Sequence, residues 1–356
     1  MIDLDDLTAI ATVDQTDYIS VVESWPQQLV EGMQIGASLQ GLPSPDGIDS
    51  IAVLGMGGSG VSGDILGDAI ADVTRLRVQT IKGYVLPGWV GENTLVFAIS
   101  YSGDTEETLA AFEQAQGRGC RIVSVTTGGR LLDESSRLGI PVASVPGGLM
   151  PRAATGYLSS PLLMITERLG LAQGLSDAIH ESIELLQKRV GEYGRTIGKS
   201  SNLAKRLAES MLGMVPIIYG SQGIAETAAY RWKCQFNECS KVPSFHHSFP
   251  ELDHNEIVGW DQLKQLTKSF SLIVLRHEAE HPRVTKRIEI TNDLIGSRLG
   301  AVHQVRAHGS SNLARLFDFI CLGDFVSAYL AVLQGVDPAP ITVLQDLKKR
   351  MAAEAW

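Results

Sequence analysis

Glu238, Lys241, His254 and Glu256 stand together in one polar segment, F-N-E-C-S-K-V-P-S-F-H-H-S-F-P-E-L-D-H-N-E-I-V-G-W, at residues 236–260. A carboxylate and an imidazole brought to one substrate can move protons on and off it near neutral pH. Glu238 and His254 are 16 residues apart, with Pro243 and Pro250 between them. Proline removes a backbone donor and clashes with the preceding turn, so no single helix carries both groups. They meet either across a folded loop or across a subunit interface. The ordinary alternative is a solvated loop with a hydrogen-bonded structural histidine.

Two further stretches are suited to an anion. Gly55 to Ser62 reads G-M-G-G-S-G-V-S, between a strand-like run and a helical one. Its glycines let the backbone approach an anion closely, the helix start offers free N–H groups, and Ser59 adds a hydroxyl. Ser100 to Thr108 reads S-Y-S-G-D-T-E-E-T, where Ser100, Ser102 and Thr105 can converge their hydroxyls at the mouth of the next helix. Each alone is also what a tight strand-to-helix turn with an N-cap hydroxyl looks like. As a pair after successive strands they describe a site for one phosphate held by neutral donors.

Competing motifs fit less well. Gly55, Gly57 and Gly60 satisfy G-x-G-x-x-G, but the position after the next strand is Lys82, not the acid that would hold a ribose. Gly63 is followed by Asp64, so a Walker A loop is excluded. His246 and His247 are adjacent and point apart on an extended chain, and no third ligand stands at a usual spacing, so neither metal nor redox cofactor is expected.

These groups need a scaffold. Short apolar runs at 51–54, 76–81, 94–99, 121–125 and 140–145 alternate with helical stretches at 61–71, 106–118 and 131–138. After helical residues 155–190 the pattern returns: strands at 216–219, 271–275 and 301–305, helices at 225–236, 284–295, 312–333 and 343–353. A helix over 16–42 precedes everything. Such alternation predicts doubly wound parallel sheets, and the recurrence of L-G-M-G-G-S-G as Y-G-S-Q-G predicts two of them, over 1–195 and 196–356. The 356 residues suffice for two cores. A net charge of −10 disfavours nucleic acid. The most apolar stretch, 316–333, contains Asp318 and Asp324 and reads as a buried helix, not a membrane span. Four cysteines without disulfide-framework spacing fit the cytoplasm.

Taken together, G-M-G-G-S-G at Gly55–Gly60, S-Y-S-G-D-T-E-E-T at Ser100–Thr108, Pro151-Arg152, F-N-E-C-S-K at Phe236–Lys241 and E-L-D-H-N-E-I-V-G-W at Glu251–Trp260 resemble the SIS (sugar isomerase) superfamily. Within it the chain looks most like the bifunctional phosphoglucose/phosphomannose isomerases, over nearly its whole length. The resemblance implies two SIS domains and an aldose–ketose isomerase that interconverts glucose or mannose 6-phosphate with fructose 6-phosphate through an enediolate. It implies that Gly57, Gly58, Ser59, Ser100, Ser102 and Thr105 hold the phosphate and that Glu238 shuttles the proton. Arg152 would stabilise the enediolate, and His254 would open the sugar ring from the partner subunit of a homodimer. A lysine near the C-terminus belongs to the site; Lys348 matches, with Lys349 beside it. The family usually reads N-E-N where this chain has Asn237-Glu238-Cys239, and more commonly Asn where it has Asp253. A sensor that keeps the phosphate turns without the acid/base pair, an amidotransferase half and a nucleotide-dependent oxidoreductase are the alternatives. Against them stand the presence of Glu238 and His254, no cysteine before Cys120, and Lys82.

Overall fold

The computed structural model describes residues 2–354. Five apolar runs form the first sheet: β1 (Ser50–Leu54), β2 (Arg77–Ile81), β3 (Thr94–Ile99), β4 (Arg121–Thr126) and β5 (Val142–Ser144), all parallel in the order β2-β1-β3-β4-β5. β1 and β3 are buried at every residue, which is why they read as unbroken hydrophobic runs. The second sheet is β6 (Val215–Ser221), β7 (Phe245–Phe249), β8 (Phe270–Arg276) and β9 (Ala301–Arg306), parallel in the order β7-β6-β8-β9. In both sheets the order reverses beside the first strand, the place where open α/β sheets bind ligands.

The Asn312–Leu333 helix runs through the shared core, with every residue after Asn312 buried. It is the one helix among the described residues long and apolar enough to cross a membrane, and protein covers all of that window. Its two acids are paired inside the protein: Asp318 with Arg189 at 2.6 Å and Asp324 with Arg231 at 3.1 Å. One continuous apolar cluster joins β1 and β3 to β6, β8 and this helix. The two sheets therefore share a single interior and are not beads on a linker.

Several expectations need correction. The stretch 16–42 is two helices, Tyr18–Glu23 and Trp25–Ser38, and a Leu7–Val13 helix precedes them. The helix expected from Val61 starts at Gly57, so the glycines lie in its first turn instead of in a loop before it. The helix expected to end at Phe236 continues to Glu238, which places that carboxylate at a helix end and not in a loop. β7 was not foreseen, because F-H-H-S-F on a sheet edge has no apolar continuity.

Candidate active site

The first cradle forms where β1 and β3 end. Gly57 has φ 51°, a left-handed conformation that suits glycine, and opens the Gly57–Ile70 helix with no side chain capping its first-turn N–H groups. Ser59 is buried, and its hydroxyl accepts from the Tyr101 N–H at 3.3 Å, tying the two turns together. In the second turn Ser100, fully buried, donates to Thr105 Oγ1 at 2.9 Å and accepts from the N–H groups of Gly103 and Thr105. Ser100 thus shapes the turn, and the Thr105 proton is left to point elsewhere. Ser102 is exposed and only accepts, from the Asp104 N–H at 3.3 Å, so its proton is free to donate as well. Thr105 is the N-cap of the Glu106–Gly117 helix. All six expected phosphate residues stand on these two adjoining turns.

Gly58 joins the cradle to the chemistry. A β-carbon there would lie 2.7 Å from the Pro151 carbonyl oxygen and 2.9 Å from Arg152 Cα, so only glycine lets the helix start press against Pro151-Arg152. Arg152 is 2 % exposed. Its Nη2 donates to the carbonyls of Pro338 at 2.9 Å and Ala339 at 2.6 Å, and its Nη1 reaches Glu238 Oε2 at 3.5 Å. The Tyr18 ring lies 5.5 Å from the guanidinium carbon, and Nε has no hydrogen-bond partner among the described residues. Burial opposes the charge, but Cys239, Tyr18 and Glu238 outweigh it and hold the guanidinium above its ordinary range. A fixed cation with donors to spare beside a partly exposed carboxylate can stabilise a developing oxyanion while the carboxylate moves a proton.

The Arg152 backbone is fixed too. Arg231, on the Ile224–Glu238 helix, donates to its carbonyl oxygen and to Asp324, which also accepts from Gln235 at 2.7 Å. Burial raises the Asp324 carboxyl, and Arg231 opposes that rise. Arg231 and Glu238 are seven residues apart, two helical turns on one face, so one helix both anchors Arg152 and carries the carboxylate. Sequence reading missed Tyr18, Arg231 and the two carbonyls. Asp324 was visible as a charge in an apolar run, and its partner could have been sought. Tyr18 left no signal.

The other expected residues fall elsewhere. His254 ends the Glu251–His254 turn of 3-10 helix, exposed and without a hydrogen bond or ion pair among the described residues. This chain does not bring it to Glu238. Lys348 and Lys349 are exposed on the Thr342–Ala353 helix and also do not reach Glu238. Glu256 is tied into the second domain by the Tyr219 hydroxyl. Asp253 accepts from Thr291 at 2.8 Å and Arg287 at 3.3 Å, away from Glu238. Cys239 is buried, its thiol donating to the Tyr18 hydroxyl at 3.3 Å, behind the carboxylate. A cavity of about 570 Å³ bounded by Gln222, Glu226, His246 and His247 lies in the second domain, with His247 4.0 Å from Glu256. Among the described residues no three His, Cys, Asp or Glu side chains are grouped to hold a metal ion.

Comparison with known proteins gives the family and the fold. Residues 200–351 match the model of the bacterial phospho-glucose isomerase C-terminal SIS domain, and residues 48–147 match the SIS domain. A bifunctional phosphoglucose/phosphomannose isomerase of Caldicellulosiruptor bescii is 39% identical over 93% of this chain and 98% of the relative. One from Thermoplasma acidophilum is 34% identical over 85% of this chain and 90% of the relative. Among solved structures, a glucose-6-phosphate isomerase like protein from Thermus thermophilus superposes with a TM-score of 0.64 at 20% identity, covering 97% of this chain and 100% of that one.

Proposed function

This chain belongs to the bifunctional phosphoglucose/phosphomannose isomerase family, and we propose that Glu238 and Arg152 carry its aldose–ketose isomerisation while the two Ser/Gly turns hold the substrate phosphate. The observation that supports this best is the unbroken run of contacts from Gly58 to Arg152 to Glu238. It sets an anion cradle, an oxyanion donor and a base side by side.

Starting from the aldose, Glu238 takes the proton from C2 and the C2 electron pair forms the C1–C2 double bond. The C1 carbonyl oxygen takes up negative charge, which the free donors of Arg152 meet. Glu238 returns its proton to C1, and a proton passes from O2 to O1 as C2 becomes the ketone. One carboxylate serves both carbons because they lie on the same face of the enediolate. C2 is trigonal in that intermediate, so glucose, mannose and fructose 6-phosphate share it. The C2 proton lies on opposite faces in the two epimers, so one carboxylate serves both when the enediolate turns about C2–C3 to offer its other face.

The substrate rests mainly as a closed ring, and a second acid/base group must open it. We assign that step to His254 of the partner subunit in a homodimer. The exposure of His254 and the lack of any partner for its side chain among the described residues support the assignment. We place the enzyme in the cytoplasm, which its four unbridged cysteines favour.

The test is proton exchange at C1 and C2, followed by NMR in deuterated water with all three hexose phosphates. Positioned bases contribute roughly 100- to 10,000-fold. Glu238→Gln therefore loses exchange by that factor and still binds the phosphosugar, while exchange near the wild-type rate refutes the base. His254→Ala slows turnover of closed sugar more than exchange on an open-chain substrate. Mixing the two variants under subunit exchange restores activity if the site is shared; hybrid dimers without recovery refute the sharing.

A further inference from the structure

Three residues beyond Glu238, where its helix ends, Lys241 has φ 57°. Lysine rarely adopts this left-handed conformation, and such strain is held in place only by the surrounding structure. The turn is closed by the Val242 N–H on the Phe236 carbonyl at 3.2 Å and by Asn237 Nδ2 on the Val242 carbonyl at 2.9 Å, and the ammonium adds to these. Although much of the residue is exposed, its Nζ turns back onto three carbonyl oxygens: those of Glu238, of Cys239 at 3.4 Å, and of Pro338 at 3.3 Å. The same Pro338 oxygen accepts from Arg152 Nη2 at 2.9 Å. Two cations therefore share one carbonyl on either side of the base. They repel each other there, and the arrangement is favourable when anions lie close by: Glu238, Asp337 and the enediolate as it forms.

We infer that Lys241 is a positioning residue of the isomerisation: its ammonium clamps the helix end that carries Glu238 to the 338–339 strap that holds Arg152, and so sets base against oxyanion donor. This rests on Glu238 being the base. A plain helix C-cap would tie down only the carbonyls of its own helix. The bond to Pro338, 97 residues away, is what a cap has no use for. Lys241 is also the lysine this chain does place beside Glu238, while Lys348 stands apart on its exposed helix.

Burial, followed by the charge of Arg152 among the opposing influences, holds the Lys241 ammonium below the ordinary lysine range. The clamp is therefore released on the alkaline side, at lower pH than an unperturbed lysine would give.

The deciding experiment uses the full-length enzyme with fructose 6-phosphate and three variants: Lys241→Gly, Lys241→Arg and Glu238→Gln. Glycine accepts the backbone at 241 without strain, so Lys241→Gly folds and removes only the clamp. A misplacement of about an ångström costs up to about 100-fold in rate. Lys241→Gly should lower kcat roughly ten- to 100-fold, leave KM within about threefold, and keep Tm within about 4 °C. Lys241→Arg, which stays charged, should recover much of kcat and move the alkaline limb of the pH profile upward. Wild-type kcat in Lys241→Gly with Glu238→Gln inactive overturns the clamp alone. Full exchange in Glu238→Gln overturns the base assignment and the clamp with it. A rate loss that merely tracks a large fall in Tm, or an alkaline limb unmoved in Lys241→Arg, also overturns the clamp.

Discussion

Ser100 and Arg276 occupy equivalent places in the two halves of this molecule. Leu54 of β1 stands opposite Ala98 of β3 as Tyr219 of β6 stands opposite Val274 of β8, and Ile99 pairs with Val125 as Leu275 pairs with Val305. The register carries on through the loops to the N-caps Thr105 and His281 of the following helices. Ser100, Ser102 and Asp104 thus correspond to Arg276, Glu278 and Glu280. In the first half the turn is lined with neutral hydroxyls, two of which keep a proton to donate. In the second, the Glu280 carboxylate accepts from Arg276 at 2.9 Å, from the His277 N–H at 3.0 Å and from Thr285 at 3.1 Å. The second turn supplies its own anion; in the function proposed above, the first receives one from outside. In the proposed function the second half contributes from elsewhere, because the helix that leaves its first turn ends at Glu238, against Arg152.

Breaking the closed turn should have the largest effect. Arg276 is 5 % exposed, and Glu280→Ala would leave its charge buried and unpaired. Such losses cost roughly 3–5 kcal/mol. The equivalent change in the open turn, Asp104→Ala, removes an exposed carboxylate that accepts from the Arg130 N–H and should cost less than about 1 kcal/mol. Urea unfolding of both variants checks the difference. Equal costs would mean that the second turn is not held by its internal ion pair.

Next comes the glycine pair Gly58 and Gly223, which the register also makes equivalent. Gly58→Ala pushes a methyl into Pro151 and Arg152, and a shift of Arg152 by about an ångström costs on the order of 100-fold in kcat/KM. Gly223 has φ 90° with open space around it. Gly223→Ala should cost roughly 1–3 kcal/mol of stability from backbone strain and leave kcat/KM unchanged. Steady-state kinetics and thermal melts on both proteins separate the two. A rate loss in Gly223→Ala would place the second turn in the active site after all.

Much of this contrast was legible beforehand. Buried parallel strands announce themselves as continuous apolar runs, and glycine and serine at strand ends announce turns, so both sheets and the open cradle could be read. The closed turn could not. R-H-E-A-E at 276–280 looks like a solvated charged loop until the backbone folds Glu280 onto Arg276. The contact between Arg152 and Glu238, 86 residues apart, is fixed by helix packing and by the 338–339 strap, neither of which leaves a local pattern. The resemblance points to Lys348, whereas Lys241 lies within the F-N-E-C-S-K motif itself. Its left-handed backbone is a property of the fold and not of the residue type.

The seam between the halves gives a smaller effect, and it depends on pH. Asp68, on the helix of the first cradle, lies against Thr227 on the helix that carries Glu238. Burial pushes its carboxyl up to about 6; Asp64 and Glu226 add to the rise, and a hydrogen bond from Thr227 opposes it. A raised carboxyl binds its proton more tightly in the folded state. Its contribution is fully present below the unfolded value of 3.8 and is lost as pH rises through about 6. Asp68→Asn should therefore stabilise the protein at pH 8, by on the order of 2 kcal/mol, and do little at pH 4. Melting curves across that range check both sign and window. A benefit that is equal at the two pH values would show that the carboxyl is not what strains the seam.

The finest test compares Ser102 with its equivalent, Glu278. Ser102 takes no part in shaping its turn beyond accepting one N–H, so Ser102→Ala removes a donor with little damage to the fold. One hydrogen bond to a charged group contributes roughly 1.5 kcal/mol, so KM for fructose 6-phosphate should rise about tenfold at nearly constant kcat. Ser100→Ala is a poorer probe, since its hydroxyl organises three groups of the turn and its loss would mix binding with stability. Glu278 is exposed and, among the described residues, paired only with Arg315 at 2.9 Å, so Glu278→Ala should leave KM where it was. If Ser102→Ala binds substrate normally, the phosphate is not held by the hydroxyls of the open turn. If Glu278→Ala raises KM as much as Ser102→Ala does, the closed turn faces the substrate too, and the division of labour between the halves fails.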